Sequence, residues 1–140
     1  MTKRPEEIAL MAESGQLLAD VFGYLNQMSL IGMSTMQVND LVDHLIVNEL
    51  KARPASKGQY GYAYALNSSR NHVVCHGVPS ATEILQSGDI VNFDITLEKN
   101  GYGRSPLVAI VDGLTRSRYL PNGGVRIKLS SRPEARAVRT

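Results

Sequence analysis

Two short segments carry the residues best suited to chemistry: Asn71-His-Val-Val-Cys-His-Gly-Val-Pro79 and Gly88-Asp-Ile-Val-Asn-Phe-Asp-Ile-Thr-Leu97. In the second, Val91, Phe93, Ile95 and Leu97 alternate with Asn92, Asp94 and Thr96. On a strand this places four apolar side chains on one face and a polar row, centred on the Asp94 carboxylate, on the other. The first segment brings His76 beside Gly77 at the end of a short apolar run. A carboxylate projecting from a strand, with an imidazole supplied by a nearby loop, is how a metallohydrolase site begins. The carboxylate suits a hard divalent cation, and an imidazole titrating near neutrality can relay protons at a reacting amide. On the strand alone, Asp94 reads either as a metal ligand or as a carboxylate that caps a loop or faces solvent. His76 alone reads either as a substrate contact or as a hydrogen-bonded structural histidine.

These residues need a frame, and the first fifty positions supply part of it. Pro5 followed by Glu6 and Glu7 marks a helix start, because proline is tolerated in the first turn and acids there complement the helix dipole. Ile8, Met11, Gly15, Leu18, Phe22 and Leu25 recur at three- and four-residue steps, one stripe of a long helix ending before Gly32. Ser34 and Gln37 have the spacing of a capping box. Val38, Leu41, Val42, Leu45, Ile46 and Leu50 then form a second amphipathic helix, broken near Pro54. Tyr60, Gly61, Tyr62 and Tyr64 suggest an extended segment, and residues 73–75 a short strand ending at His76. Residues 79–89 read as a connection. The strand at 90–97 reaches Asn100-Gly101, a dipeptide that favours a two-residue type I′ turn, so a return strand is expected from Tyr102. Two amphipathic helices followed by an antiparallel meander make the expected class α+β.

The bulk numbers narrow the class further. At 140 residues the chain is large enough to bury roughly 70% of its unfolded surface. With 43% hydrophobic and 20% charged residues it reads as an ordinary globular protein. No apolar run approaches the ~18 residues of a membrane span. Cys75 is the only cysteine, so an internal disulfide is impossible, and a reducing, cytoplasmic setting is expected. No neighbouring cation lowers its pKa in sequence, so Cys75 is expected to be a small buried hydrophobe. The net charge of +2 hides an asymmetry. Residues 1–102 hold 7 Lys and Arg against 11 Asp and Glu, whereas residues 103–140 hold 8 against 2. The domain is therefore expected to span 1–112, with 113–140 a basic, poorly ordered tail.

Residues 58–62, 71–79 and 88–97, in this order behind two amphipathic helices, resemble a bacterial type I methionine aminopeptidase. The resemblance covers about residues 4–102. It implies the pita-bread (creatinase/aminopeptidase) fold, two pseudo-symmetric α/β halves of which this chain would hold mainly the amino-terminal one. It implies removal of the initiator methionine from nascent chains by a divalent metal pair (Co, Mn, Fe or Zn). By the same resemblance Asp94 is a metal ligand and His76 lies beside the substrate's scissile bond. Tyr62 lines the pocket for the methionine side chain. An aromatic face suits a thioether, a contact worth roughly 0.3–1.5 kcal/mol.

The sequence also departs from that family. The resemblance asks for a second aspartate eleven residues after the first, and position 105 is Ser105. Asp112 has the opposite strand parity to position 105. The family's remaining ligands are one histidine and two glutamates, yet no histidine follows His76 and Glu134 is the only glutamate after Glu98. Hydrolysis by this chain alone is therefore not expected. From Tyr102 onward the composition turns arginine-rich and aperiodic, the pattern a change of reading frame near codons 102–104 would produce. Two other readings stand beside the enzymatic one. The basic residues Arg116, Arg118, Arg126, Lys128, Arg132, Arg136 and Arg139 could meet RNA or the ribosome in a non-catalytic protein, although no aromatic interleaving accompanies them. A non-functional truncated product would leave sheet edges uncovered and tend to form oligomers.

Overall fold

A computed structural model describes residues 3–104, 118–119 and 125–128. Helix α1 spans Pro5–Leu25, with Pro5 in its first turn. The Glu7 carboxylate accepts the Arg4 backbone N–H at 2.7 Å, which closes the helix start. Leu18, Val21, Phe22 and Leu25 are buried, whereas Ile8 is 54% exposed. The apolar stripe is thus used only in its second half. A helix of 21 residues is ~31 Å long, and its first turns run past the packed core.

Helix α2, Thr35–His44, opens on the capping box read from the sequence. Gln37 N–H donates to Ser34 Oγ at 3.1 Å, and the Gln37 side chain accepts the Ser34 N–H at 2.8 Å. The helix loosens into a π turn at Leu45–Glu49 before the chain leaves at Lys51, whose φ is +51°. Val38, Val42 and Ile46 are fully buried along one face.

Strands β1 (Arg53–Pro54), β2 (Leu66–Arg70), β3 (Ile90–Ile95), β4 (Leu97–Lys99) and β5 (Tyr102–Arg104) follow, with β6 (Arg118–Tyr119) and β7 (Val125–Lys128) beyond. Among the described residues they form two antiparallel sheets, ordered β1-β4-β5 and β2-β3-β7-β6. The fold class is α+β, as the pattern predicts. The Asn100-Gly101 turn takes φ of +54° and +75°, positive at both central positions as a type I′ turn requires. Its ladder runs Lys99↔Tyr102, Glu98↔Gly103 and Leu97↔Arg104.

Four features differ from the sequence reading. The strand expected at 73–75 is instead β2, whose residues Leu66 to Arg70 pair with Ile95 to Val91. Its core face offers a single apolar side chain, Leu66, so it carries no alternating signal. Val74, which does look strand-like, is 74% exposed in a loop. The tyrosine segment expected to be extended begins with a 3₁₀ turn at Gln59–Gly61. The single strand expected over 90–97 breaks at Thr96, where β3 leaves the β2 ladder and β4 joins β1. The Thr96 carbonyl there accepts the Ala55 N–H at 2.8 Å. Cys75 is exposed, not buried, because its segment is loop.

The core joins α1, α2 and the inward faces of β2 to β4. Phe93, Ile95, Leu97, Leu66, Leu30 and Leu85 are fully excluded from water, each worth about 1.5–3 kcal/mol of burial. The connection 79–89 is held against the start of α2. Ser80 N–H donates to Thr35 Oγ1 at 2.9 Å, and Leu85 N–H to Met33 O at 2.9 Å. Ser105, residues 107–111, Asp112 and most of the arginine-rich segment lie outside the described residues. Of the segment 113–140, only β6 and β7 are described.

Candidate functional site

The alternation in β3 does what its period dictates. Val91, Phe93 and Ile95 are fully buried on the core face, and Asn92 and Asp94 stand half-buried on the other. Asn67 of β2 lies directly opposite Asp94, and its amide donates a hydrogen bond to the carboxylate. The second carboxylate oxygen, Oδ1, is buried and has no hydrogen-bond partner among the described residues. Burial pushes the Asp94 carboxyl above its ordinary value near 3.8, against the Asn67 hydrogen bond and the charge of His76, which pull it down.

Tyr62 is tied down near the start of β2. Its hydroxyl donates to Leu66 O at 2.8 Å, which fixes the ring over the start of β2. Its ring meets Tyr64 edge to face, with centroids 5.4 Å apart and planes at 75°. Burial, then the neighbouring Tyr64 and Asp94, raise the phenol above its usual range. His76 and Tyr62 therefore both lie within electrostatic reach of Asp94. His72, by contrast, is exposed in the loop, and no hydrogen bond or field in the structure ties it to Asp94.

The loop that brings His76 is pinned at two places. His76 itself holds φ at +54°, a left-handed conformation uncommon for a non-glycine residue. Gly77 then docks on the free edge of β2: Ser68 N–H donates to Gly77 O at 2.8 Å, and Gly77 N–H donates to Ser69 Oγ at 3.1 Å. A Cβ at position 77 would sit 2.0 Å from Ser68 O, so the approach requires glycine. The other pin is Asp89, only 7% exposed. Its carboxylate accepts Arg70 Nε at 2.6 Å, Asn71 Nδ2 at 3.0 Å and the Gln86 N–H at 2.8 Å. Burial pushes the Asp89 carboxyl up, but the hydrogen bonds and the Arg70 charge outweigh it and hold the group below its ordinary value. Asn71, at φ +53°, also accepts Ile90 N–H through Oδ1 and so seals the loop base.

Asn67, Arg70, Asn71 and Asp89 were not found by reading the sequence. Asn67 acquires its place only through strand pairing, which no local pattern announces. Asp89 follows Gly88 and reads as part of a turn. Two aspartates five residues apart thus have opposite environments, one saturated with donors and one short of them.

The resemblance implies a divalent metal pair, and the donor set can be tested against it. Asp94 has an orphaned oxygen, and His76 acts on its carboxyl through charge, which is a start. Yet among the described residues no group of three or more His, Cys, Asp or Glu side chains could hold a metal ion. These residues do not make up a dimetal centre.

Methionine aminopeptidase of Escherichia coli strain K12 is 39% identical over 100 residues, 71% of this chain and 38% of that protein. The crystal structure of methionine aminopeptidase from Thermotoga maritima superposes with a TM-score of 0.69 at 30% identity, over 75% of this chain and 42% of that one. The corresponding enzyme from Rickettsia prowazekii gives a TM-score of 0.70 at 28% identity, over 82% and 46%. The chain thus spans about two fifths of the length of the curated relatives it matches, and its fold is part of a pita-bread architecture. No helix among the described residues is long and apolar enough to cross a membrane. Residues 9–104, which take in most of α1, all of α2, the loop of His76 and the strand of Asp94, match metallopeptidase family M24, and the chain belongs to that family.

Proposed function

We propose that this chain is a methionine aminopeptidase-like metallopeptidase by descent, one that retains the substrate-facing part of the site and does not hydrolyse peptides by itself. The observation that carries the reading is the buried, unpartnered Asp94 Oδ1 of a carboxylate within electrostatic reach of His76 and Tyr62, with no group of three or more metal-capable side chains among the described residues. In this reading Asp94 receives positive charge at the amino end of the substrate. His76, exposed and carried at the loop's turn, stands where it can contact the scissile amide. Tyr62, held by Leu66 O and braced by Tyr64, offers an aromatic face to the methionine thioether. Activation of water by a metal pair needs more carboxylates and imidazoles than this cluster holds.

The test is turnover of a Met-Gly-type peptide with added Mn(II) or Co(II), run beside Asp94→Ala to expose contaminating host enzyme. The expected result is no turnover above that control. Turnover that Asp94→Ala abolishes overturns the inactivity, because the missing ligands would then come from outside the described residues or from another subunit.

A further inference from the structure

We propose that the groove between α1 and the end of α2 is the docking site for this chain's own residues 129–140, an arginine-bearing segment held by two carboxylates over an apolar floor. The groove is separate from the candidate site. Helices α1 and α2 cover the core face of the strands, whereas Asp94 stands on the other face.

The groove has a volume of about 460 Å³. Val21, Leu45 and Leu50 give it an apolar floor, and Asp20, Glu49 and half-exposed Tyr24 form its accessible lining. Among the described residues no lysine or arginine lines it. Lys99 reaches its margin but donates to Leu50 O at 2.7 Å. Neither carboxylate has a lysine or arginine partner among the described residues. Asp20 Oδ1 accepts the neutral Gln16 amide at 3.1 Å, and Glu49 Oε1 lies 3.7 Å from His44 Nε2. The groove therefore favours a cationic group attached to an apolar body.

Residues 129–140 have that chemistry. They carry Arg132, Arg136 and Arg139 against one acid, Glu134, and Arg136 and Arg139 flank the apolar Val138. A guanidinium meets a carboxylate through two parallel hydrogen bonds, and it stacks on a tyrosine face such as that of Tyr24. Reach is sufficient. Strand β7 ends at Lys128, paired with Ile90. The twelve residues that follow span up to about 40 Å when extended, more than the ~31 Å length of α1. Exposed ion pairs are weak one by one. The covalent tether compensates, because it holds the segment near the groove at an effective concentration on the order of mM. That advantage belongs to the chain's own segment and not to a free peptide of the same composition.

The test uses the full chain carrying Cys75→Ser, which removes the exposed native thiol, and Thr140→Cys labelled with a nitroxide. Paramagnetic broadening of backbone amides is then read by NMR. The expected result is loss of intensity at Val21, Tyr24 and Leu45. Adding Asp20→Asn and Glu49→Gln should lower the ratio of docked to undocked chains roughly twofold to thirtyfold, the weight of two exposed ion pairs, and the lost intensity should return. The same return is expected without those two substitutions in ~1 M NaCl, where the Debye length is about 3 Å, so the result does not depend on how the double variant folds. Broadening that spares the groove, or that survives both the double variant and the salt, overturns the proposal. A mixture of ¹⁵N-labelled chain lacking the nitroxide with unlabelled chain bearing it separates the copies. Groove broadening of equal strength in that mixture assigns the occupant to a second copy and overturns docking within one chain.

Discussion

Asp89→Ala tests whether the loop carrying His76 is held by its base. The carboxylate removed is 7% exposed and accepts three donors, one of them the Arg70 guanidinium at 2.6 Å. The substitution strips Arg70, whose side chain is 22% exposed, of its counter-charge. It also leaves the Gln86 N–H and the Asn71 amide without their acceptor. Breaking a buried pair by deleting one member costs about 3–5 kcal/mol. Arg70 retains some access to water, so a loss of ~2–4 kcal/mol at pH 7 is the expectation. The pH dependence has a definite sign. Asp89 is held below its ordinary value near 3.8 in the fold. Its contribution is therefore fully present above that value and is lost as pH falls through the depressed one. Urea unfolding of wild type and Asp89→Ala at pH 7 and near pH 3 reads this directly. The difference in unfolding free energy should be large at pH 7 and smaller at low pH. A loss below about 1 kcal/mol at pH 7, or an equal loss at both pH values, would refute the reasoning.

Other perturbations follow from the same geometry. Gly77→Ala places a Cβ 2.0 Å from Ser68 O, so the loop must lift and the Ser68 N–H to Gly77 O and Gly77 N–H to Ser69 Oγ hydrogen bonds loosen, at about 0.5–1.5 kcal/mol each; the melting temperature should fall and the His76 ring resonances shift. Asp94→Asn acts oppositely on stability. The Asp94 pKa is raised in the fold, so its charge destabilises as pH rises above about 3.8, and without ligand the Asn variant should melt higher than wild type at pH 7 but not at pH 3. Ser34→Ala removes the acceptor of the Gln37 N–H and should cost about 0.5–2 kcal/mol in chemical denaturation.

Local chemistry was readable in this sequence, and long-range pairing was not. The Ser34–Gln37 box, Pro5 at the first helical turn and the Asn100-Gly101 turn are each decided by a few neighbouring residues, and each is found where its chemistry places it. The parity of β3 likewise identified Asp94 as the polar-face carboxylate. Strand β2 escaped because its core-facing positions are Leu66, Ser68 and Arg70, and the stabilising partner of Ser68 is a loop backbone, Gly77. The apolar 73–75 run misled for the complementary reason: apolar composition is not burial, and Val74 and Cys75 face solvent. The switch of sheets at Thr96 leaves the alternation of side chains intact, so no period could reveal it. Asp89 and Asp94 share residue type and neighbourhood in sequence. Only the donors brought by Arg70, Asn71 and Gln86 separate the structural carboxylate from the available one.

The central claim is that Asp94, His76 and Tyr62 form one methionine-facing surface. Its most direct test is a set of intermolecular NOEs between the ¹³C-labelled methionine methyl of Met-Gly-Gly and the full chain in EDTA. The account predicts contacts from that methyl to the Tyr62 and Tyr64 rings, with His76 ring protons near the first peptide bond. Contacts confined to another surface, such as half-exposed Tyr24 on α1, or no contacts at saturating peptide, would contradict it.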